Sequence, residues 1–353
     1  VVKRARLYWR VRTAHLERAA ELPEATVYFA GKRYDFDSAL ADAVDLRPAA
    51  GWRAAFFLWR DSPDEVEVNE PLMLASALWT ATALAALDLR GRLRGRRARV
   101  VSYAIENRDP LADRPAGARA RLRRRLTAAA ARRIWRRLDR IAYGTAAAEQ
   151  LYVRTFGAGP AEARLIEALP CPAGRTVEKD PGTVLFAAAF APRKGIDVLV
   201  AAWPQVTRQH PGARLVLIGK GPLLGLVEDA AREQPSIEVH VAPPRAVVHS
   251  SLERASVLVL PSRESPDWRE QVGLPIVEGL ANGCTVVTTD QTGLASWLAE
   301  HGHTVLAEPA DADALGRAIS DALQHPLEPA AVRRSLPDRD GRLAADDWLF
   351  GRS

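Results

Sequence analysis

The sequence predicts an α/β protein made of two domains, each with an open, doubly wound parallel sheet, and a cleft between them. Three observations lead there. At 353 residues the chain is long enough to bury two ordinary cores. Its second half alternates short apolar runs of strand length with segments of helical period, the pattern of a parallel sheet covered on both faces. A stretch dense in turn formers, with Pro170, Pro172, Gly174, Pro181 and Gly182, divides the chain near its middle. The expected division is a first domain over 1–170, a linker over 171–182, a second domain over 183–330 and a tail over 331–353 that can return to the first domain.

In the first half, strands are expected at 5–11, 26–29, 54–58, 66–68 and 98–103, and helices at 72–87 and 118–141. The longest uncharged run, 71–87, has 17 residues and includes Ser76, Thr80 and Thr82. Spanning a bilayer takes about 20 predominantly apolar residues, so this run reads as a buried helix. In the second half, strands are expected at 183–190, 214–219, 237–241, 256–260, 285–289 and 304–307. Helices are expected at 195–210, 222–232 and 312–323, with others between the later strands. There is no internal repeat of solenoid spacing.

Composition narrows the class. Hydrophobic residues make up 48% and charged residues 26%, values of a soluble globular chain. Two cysteines cannot make a disulfide framework, and Cys284, just before Thr-Val-Val-Thr-Thr, is expected buried and reduced. With no secretory signal read at the amino end, a cytoplasmic setting is expected. Charge is uneven: residues 1–170 carry 31 Lys+Arg against 20 Asp+Glu, the remainder 18 against 23, so the first half is suited to an anionic neighbour. Ten arginines crowd the helix expected over 118–141, from Arg119 to Arg140, beside a stripe of Leu122, Leu126, Ala130, Ile134, Leu138 and Ile141 expected to pack on the first sheet. The ordinary reading of the arginines is a solvated face. The functional alternative is an anionic membrane surface or a lipid-pyrophosphate acceptor. Nucleic acid is not expected, because aromatic interleaving is sparse.

The residues that point to chemistry lie in the second half. The strand at 256–260 runs into Pro261-Ser262, a loop, and Glu270-Gln271-Val272-Gly273-Leu274-Pro275-Ile276-Val277-Glu278. Gly273, Leu274 and Pro275 open a helix whose free first-turn amides suit a phosphate or sugar oxygen. Glu270 and Glu278 offer carboxylates to sugar hydroxyls, and as first-turn and pre-helix acids they also complement the helix dipole. Ala191-Pro192-Arg193-Lys194-Gly195 follows the first strand of the second domain, where Arg193 can clamp a diphosphate and Lys194 add a point charge. Gly219-Lys220-Gly221-Pro222 reads as a tight turn with Pro222 at the first helical position.

Together these segments resemble the retaining glycosyltransferases of family 4, over about 182–323. The match is carried by Arg193-Lys194-Gly195, the Glu270/Glu278 pair, Pro261-Ser262 and Ala281-Asn282-Gly283-Cys284-Thr285-Val286-Val287. The resemblance implies the GT-B fold: two Rossmann-like doubly wound domains facing a central cleft. It implies that Arg193 and Lys194 bind the donor diphosphate, that Glu270 contacts the donor sugar and that Glu278 holds the ribose; Gly273 and Leu274, through the free amides of the helix start, are expected to help hold the donor. Trp268 to Gly273 resembles a subgroup with Trp-x-Glu-Gln-x-Gly. The loop from Ser262 to Glu270 is longer than usual, which makes Glu264 a rival for the sugar-facing role. Asn69-Glu70-Pro71 and Glu106-Asn107 resemble loops of the same subgroup, which puts Glu70, Glu106 and Asn107 on the acceptor side. The family's Gly-Gly loop after the first strand is absent, and His15 is the only histidine before residue 200.

The expected function is transfer of a sugar from a nucleotide-diphosphate-sugar to a glycan, lipid-linked or small-molecule acceptor, with retention at the anomeric carbon. No metal and no other cofactor are expected, since the cations can neutralise the departing diphosphate. The expected place of work is the cytoplasm or the inner face of the membrane. A nucleotide-sugar epimerase of the same architecture and a catalytically silent scaffold are the alternatives.

Overall fold

The computed structural model describes residues 2–33, 36–112, 116–159, 162–175, 177–265 and 268–351. Pro266 and Asp267, in the long loop before Glu270, and Thr176, in the expected linker, lie outside the described residues. The chain forms two compact units, Val1–Glu167 with Arg342–Ser353, and Ala168–Gly341.

The first unit runs β1 (Arg4–Val11), α1 (Thr13–Glu21), β2 (Thr26–Lys32), β3 (Leu46–Pro48), α2 (Arg53–Asp61), β4 (Glu65–Val68), α3 (Leu74–Arg94), β5 (Arg99–Ala104), α4 (Ala118–Arg137), β6 (Arg140–Tyr143), α5 (Ala146–Phe156) and β7 (Glu162–Leu165). Its seven strands are ordered β3-β2-β1-β4-β5-β6-β7, all pairings parallel. Side chains alternate across the pleat. Ala5, Leu7, Tyr28, Val66, Val68, Val100 and Ile141 join the larger core with α2 to α5, while Val27, Phe29, Val101 and Ala142 feed smaller clusters elsewhere.

Several expectations fail in this unit. Residues 54–58 are not a strand but part of α2, whose buried positions Ala54 and Leu58 are four apart. An apolar run that short fits either element, and here the helical period decides. The arginine helix ends at Arg137, where Leu138 turns extended and Ile141 enters the sheet. Its first half does not bury the expected stripe either: Leu122 is 58% and Leu126 51% exposed, while Thr127, Ala130, Ala131, Ile134 and Trp135 are buried. A row of residues four apart drifts about 40° per step around a helix, so Leu122 lies about 120° from Ile134. The helix α3 is longer than expected and stops at Gly95, whose φ of 63° suits glycine.

The second unit runs β8 (Asp180–Ala187), α6 (Ile196–Gln209), β9 (Arg214–Gly219), α7 (Leu224–Glu233), β10 (Ile237–Val241), α8 (Arg245–Arg254), β11 (Ala255–Leu260), α9 (Leu274–Ala281), β12 (Thr285–Thr289), α10 (Ala295–Glu300), β13 (Thr304–Leu306), α11 (Ala312–Gln324) and α12 (Pro329–Arg334). Its six strands, ordered β10-β9-β8-β11-β12-β13, are also all parallel. β9, β10 and β12 match the expected strands residue for residue. One core joins both faces of the sheet, and Cys284 is buried in it. Pro222 is not the first helical residue: α7 starts two positions later, after Leu223 N–H has donated to the Phe190 carbonyl at 2.9 Å.

The last helix, α13 (Gly341–Phe350), packs Ala345, Leu349 and Phe350 on Val101 of β5 and Ala142 of β6. Arg6 and Glu67 alternate with the apolar residues of β1 and β4, and meet α13 as a buried charge network. Arg6 donates to Glu67 at 3.0 Å and to Asp346 at 2.9 Å, and Arg342 pairs with Glu67. Among the described residues no helix is long and apolar enough to cross a membrane.

Candidate functional site

Strand order reverses once in each sheet, between β1 and β4 and between β8 and β11. At such a reversal successive connections leave on opposite faces and open a crevice beyond the carboxyl ends of the strands, the place where open α/β sheets bind ligands. The chemistry-bearing residues singled out above follow β4 and β5 in the first unit, and β8 and β11 in the second.

In the second unit, the chain after β8 makes a short turn over Pro192–Lys194 and enters α6 through Gly195, with φ 68°. A Cβ on Gly195 would stand 2.0 Å from the Pro261 carbonyl oxygen, so only glycine lets this loop lie against the one leaving β11. The two loops are tied by Arg263 N–H donating to the Arg193 carbonyl at 3.0 Å. The loop after β9 lies as close: Cβ atoms on Gly219 and Gly221 would stand 2.0 Å and 2.4 Å from the carbonyl oxygens of Ala188 and Phe190. These glycines thus shape a wall of three touching loops.

On that frame Lys194 and Glu270 form an ion pair, both well buried at the side chain. Ser262 Oγ, itself buried, donates to Glu270 Oε2 at 3.1 Å. Burial holds the Lys194 ammonium below the usual lysine range; Glu270 pulls it back up, and neighbouring Arg193 pushes it down. Arg193 and Lys194 each lie 4.6 Å from the centre of the Trp268 ring. Glu264 is exposed whereas Glu270 is 8% exposed, so of the two rivals it is Glu270 that meets Lys194. Gly273 caps α9 with φ 84°, Leu274 is exposed at the first helical position, and Glu278 sits one turn in, 3.7 Å from Arg245 at the start of α8. The sequence pattern pointed to Arg193, Lys194, Glu270, Gly273, Leu274 and Glu278. It gave no contact role to Ser262, Trp268 or Arg245. Ser262 and Trp268 stand inside the Pro-Ser and Trp-x-Glu-Gln-x-Gly motifs and so were findable; Arg245 had no signal beyond its place before a helix.

In the first unit, Glu70 follows β4 and is buried, and Glu106 and Asn107 follow β5. Glu70 Oε2 accepts from Ile105 N–H at 3.1 Å, Glu106 N–H at 2.9 Å and Tyr152 hydroxyl at 3.2 Å. Burial, with the Glu106 charge second, pushes the Glu70 carboxyl up to about 8. Asn107 is buried beside this loop, and Asn69 Oδ1 accepts from Trp9 N–H at 3.2 Å. His15, stacked on Tyr8 at 4.5 Å between centroids, is pushed down to about 3 by burial and by nearby arginines, so it is neutral at ordinary pH. Among the described residues no group of three His, Cys, Asp or Glu side chains is arranged to hold a metal ion.

Comparison with known proteins bears on this arrangement. The family model described as "Glycosyl transferases group 1" matches residues 181–325. Glycogen synthase of Mycobacterium tuberculosis is 31% identical over 206 residues, 55% of this chain and 47% of that protein. A GDP-mannose-dependent alpha-(1-6)-phosphatidylinositol monomannoside mannosyltransferase of Mycolicibacterium smegmatis is 30% identical over 178 residues, 48% of this chain and 45% of that protein. The chain therefore spans about half the length of the curated relatives it matches. Among solved structures, the apo form of the lipopolysaccharide outer core galactosyltransferase WaaB superposes with a TM-score of 0.66 at 14% identity, covering all of both chains. HepE of Anabaena in complex with UDP-glucose gives 0.65 at 12% identity, covering 100% of this chain and 99% of that one. At such identities the likeness is one of fold. The chain has the GT-B fold, and within it residues 181–325 carry the match to the glycosyl transferases group 1.

Proposed function

We propose that this chain is a retaining glycosyltransferase that moves a hexosyl-type sugar from a nucleotide-diphosphate-sugar donor to an acceptor hydroxyl. The observation that carries the reading is the Arg193/Lys194 pair beside Glu270, at the strand-order reversal of the second unit. Two adjacent cations at a loop-to-helix start suit a diphosphate. As the bond from the sugar to the diphosphate breaks, negative charge builds on the leaving phosphate, and fixed cations there stabilise the transition state more than the ground state. Glu270 then faces the sugar, Glu278 takes the ribose diol, and the first amides of α9 at Gly273 and Leu274 hold a phosphate or sugar oxygen. Arg193 and Lys194 supply the charge neutralisation, so the reading needs no metal ion.

The acceptor belongs to the first unit, whose reversal carries Glu70, Glu106 and Asn107. A protonated Glu70 can donate to a hydroxyl oxygen or accept from its proton. The acceptor class is a glycan, a lipid-linked saccharide or a small molecule. The names of the relatives, among them mannosyltransferases of phosphatidylinositol, support a lipid-linked one. An anionic membrane surface is the matching partner for α4, where Leu122 and Leu126 stand exposed among arginines. Isothermal calorimetry with UDP and GDP tests the donor site. Lys194→Ala should weaken binding of the preferred nucleotide by about 10- to 100-fold, the loss of a charge-assisted contact. An unchanged affinity removes Lys194 from the site.

A further inference from the structure

From the geometry around Arg193 we infer that Trp268 is a positioning residue for the diphosphate-binding cations, an inference that rests on the donor-site reading above. The indole lies 4.6 Å from the Arg193 guanidinium and 4.6 Å from Lys194 Nζ. Among the described residues, the Trp268 ring is the only side-chain partner of the Arg193 guanidinium, whereas Lys194 also pairs with Glu270. Two like charges on adjacent residues repel, and Arg193 already disfavours the charged form of Lys194. The negative face of one indole turned to both cations offsets that repulsion and fixes where they point.

The contact is compatible with a bound diphosphate. A guanidinium stacks through its flat face and donates through its edge. Arg193 can therefore keep its place on the indole while its N–H groups reach phosphate oxygens. Lys194 has three donors and can exchange Glu270 for the anion. Trp268 is held for this task by Ser265, through an antiparallel bridge between the two residues and Trp268 N–H donating to the Ser265 carbonyl at 3.2 Å.

The test is calorimetry on the full chain with UDP, GDP and inorganic pyrophosphate, for wild type, Trp268→Leu and Trp268→Phe, with thermal melts alongside. Trp268→Leu is expected to bind nucleotide and pyrophosphate about fivefold to tenfold more weakly at an unchanged melting temperature. Trp268→Phe, which keeps an aromatic face, is expected within about twofold of wild type. Saturating nucleotide should also change the tryptophan emission of wild type, and most of that change should vanish in Trp268→Phe. Equal affinities for wild type and Trp268→Leu overturn the inference. So does a phenylalanine variant as weak as the leucine variant, since the ring face is then not the cause. If Trp268→Leu does not fold, the phenylalanine affinity and the emission difference decide. Failure of wild type to bind any of the three probes sinks the donor-site reading, and Trp268's role with it, whereas binding that ignores Trp268 leaves that reading standing.

Discussion

The two units place opposite chemistry at the same point of the same topology. At the reversal of the second sheet, a half-buried cation and a buried carboxylate neutralise each other, and a second cation leans on an aromatic ring. At the reversal of the first sheet, carboxylates gather, and Glu70, which burial holds in its protonated form up to about pH 8, accepts from two backbone amides and a tyrosine hydroxyl. On the proposed reading, the crevice that receives a diphosphate keeps positive charge in reserve. The one that receives hydroxyl groups needs hydrogen bonds and little net charge. The fold supplies the position, and the loop residues choose the ligand.

The largest expected effect separates the two carboxylates of the second unit. Glu270→Gln should lower sugar transfer by about 100- to 1,000-fold, as loss of a preorganised polar group does. Glu264→Gln, at an exposed site, should stay within about twofold. The reverse ranking, read from initial rates with the same donor and acceptor, would move the sugar-facing role to the long loop.

Next comes the carboxyl of the first unit. Its folded value of about 8 lies above the ordinary 4.5, so between those pH values the folded chain holds a proton that the unfolded chain has released. The contribution of Glu70 to stability is therefore full below about pH 4.5 and is lost as pH rises through 8, at up to ~1.4 kcal/mol per pH unit. Glu70→Gln should remove that slope from denaturant unfolding between pH 5.5 and 7.5. Identical slopes in both proteins would mean that Glu70 ionises normally and that the contrast between the units is weaker than drawn.

The smallest effect concerns the outer surface of the first unit. Each basic residue near an anionic bilayer contributes about 1 kcal/mol, and the exposed leucines of α4 add apolar contact. Flotation with anionic but not neutral vesicles is expected, weakened by salt and by the double change Leu122→Ser and Leu126→Ser. Absence of flotation would leave α4 a solvated face.

The contrast between the units also explains what could be read in advance. Strands of the second unit are continuous apolar runs such as Leu215 to Ile218 and Val257 to Leu260, so their ends stood out. In the first unit, β1 contains Arg6, β4 alternates Glu65 and Glu67 with valines, and β7 is wholly exposed, which erases the run. The missed helix α1 begins with Thr13 and carries a half-buried His15 between Arg12 and Arg18, a composition that reads as loop. The site residues followed the same rule. Those in contiguous motifs were visible, while contacts made across loops, such as Ser262 to Glu270 and Arg245 to Glu278, exist only once the chain has folded.

The buried network under α13 has a consequence for how the molecule is made. Arg6 and Glu67 emerge from the ribosome early, yet Arg342 and Asp346 come more than 270 residues after Glu67. Removing a partner from a buried ion pair costs about 3–5 kcal/mol. A nascent first unit is thus short of that amount until the second unit has been synthesised, which gives the second a head start in closing. We expect a chain stopped at Gly341 to expose its first unit to protease while the second resists. Equal resistance of both units would show that the order of synthesis leaves no mark on the order of folding.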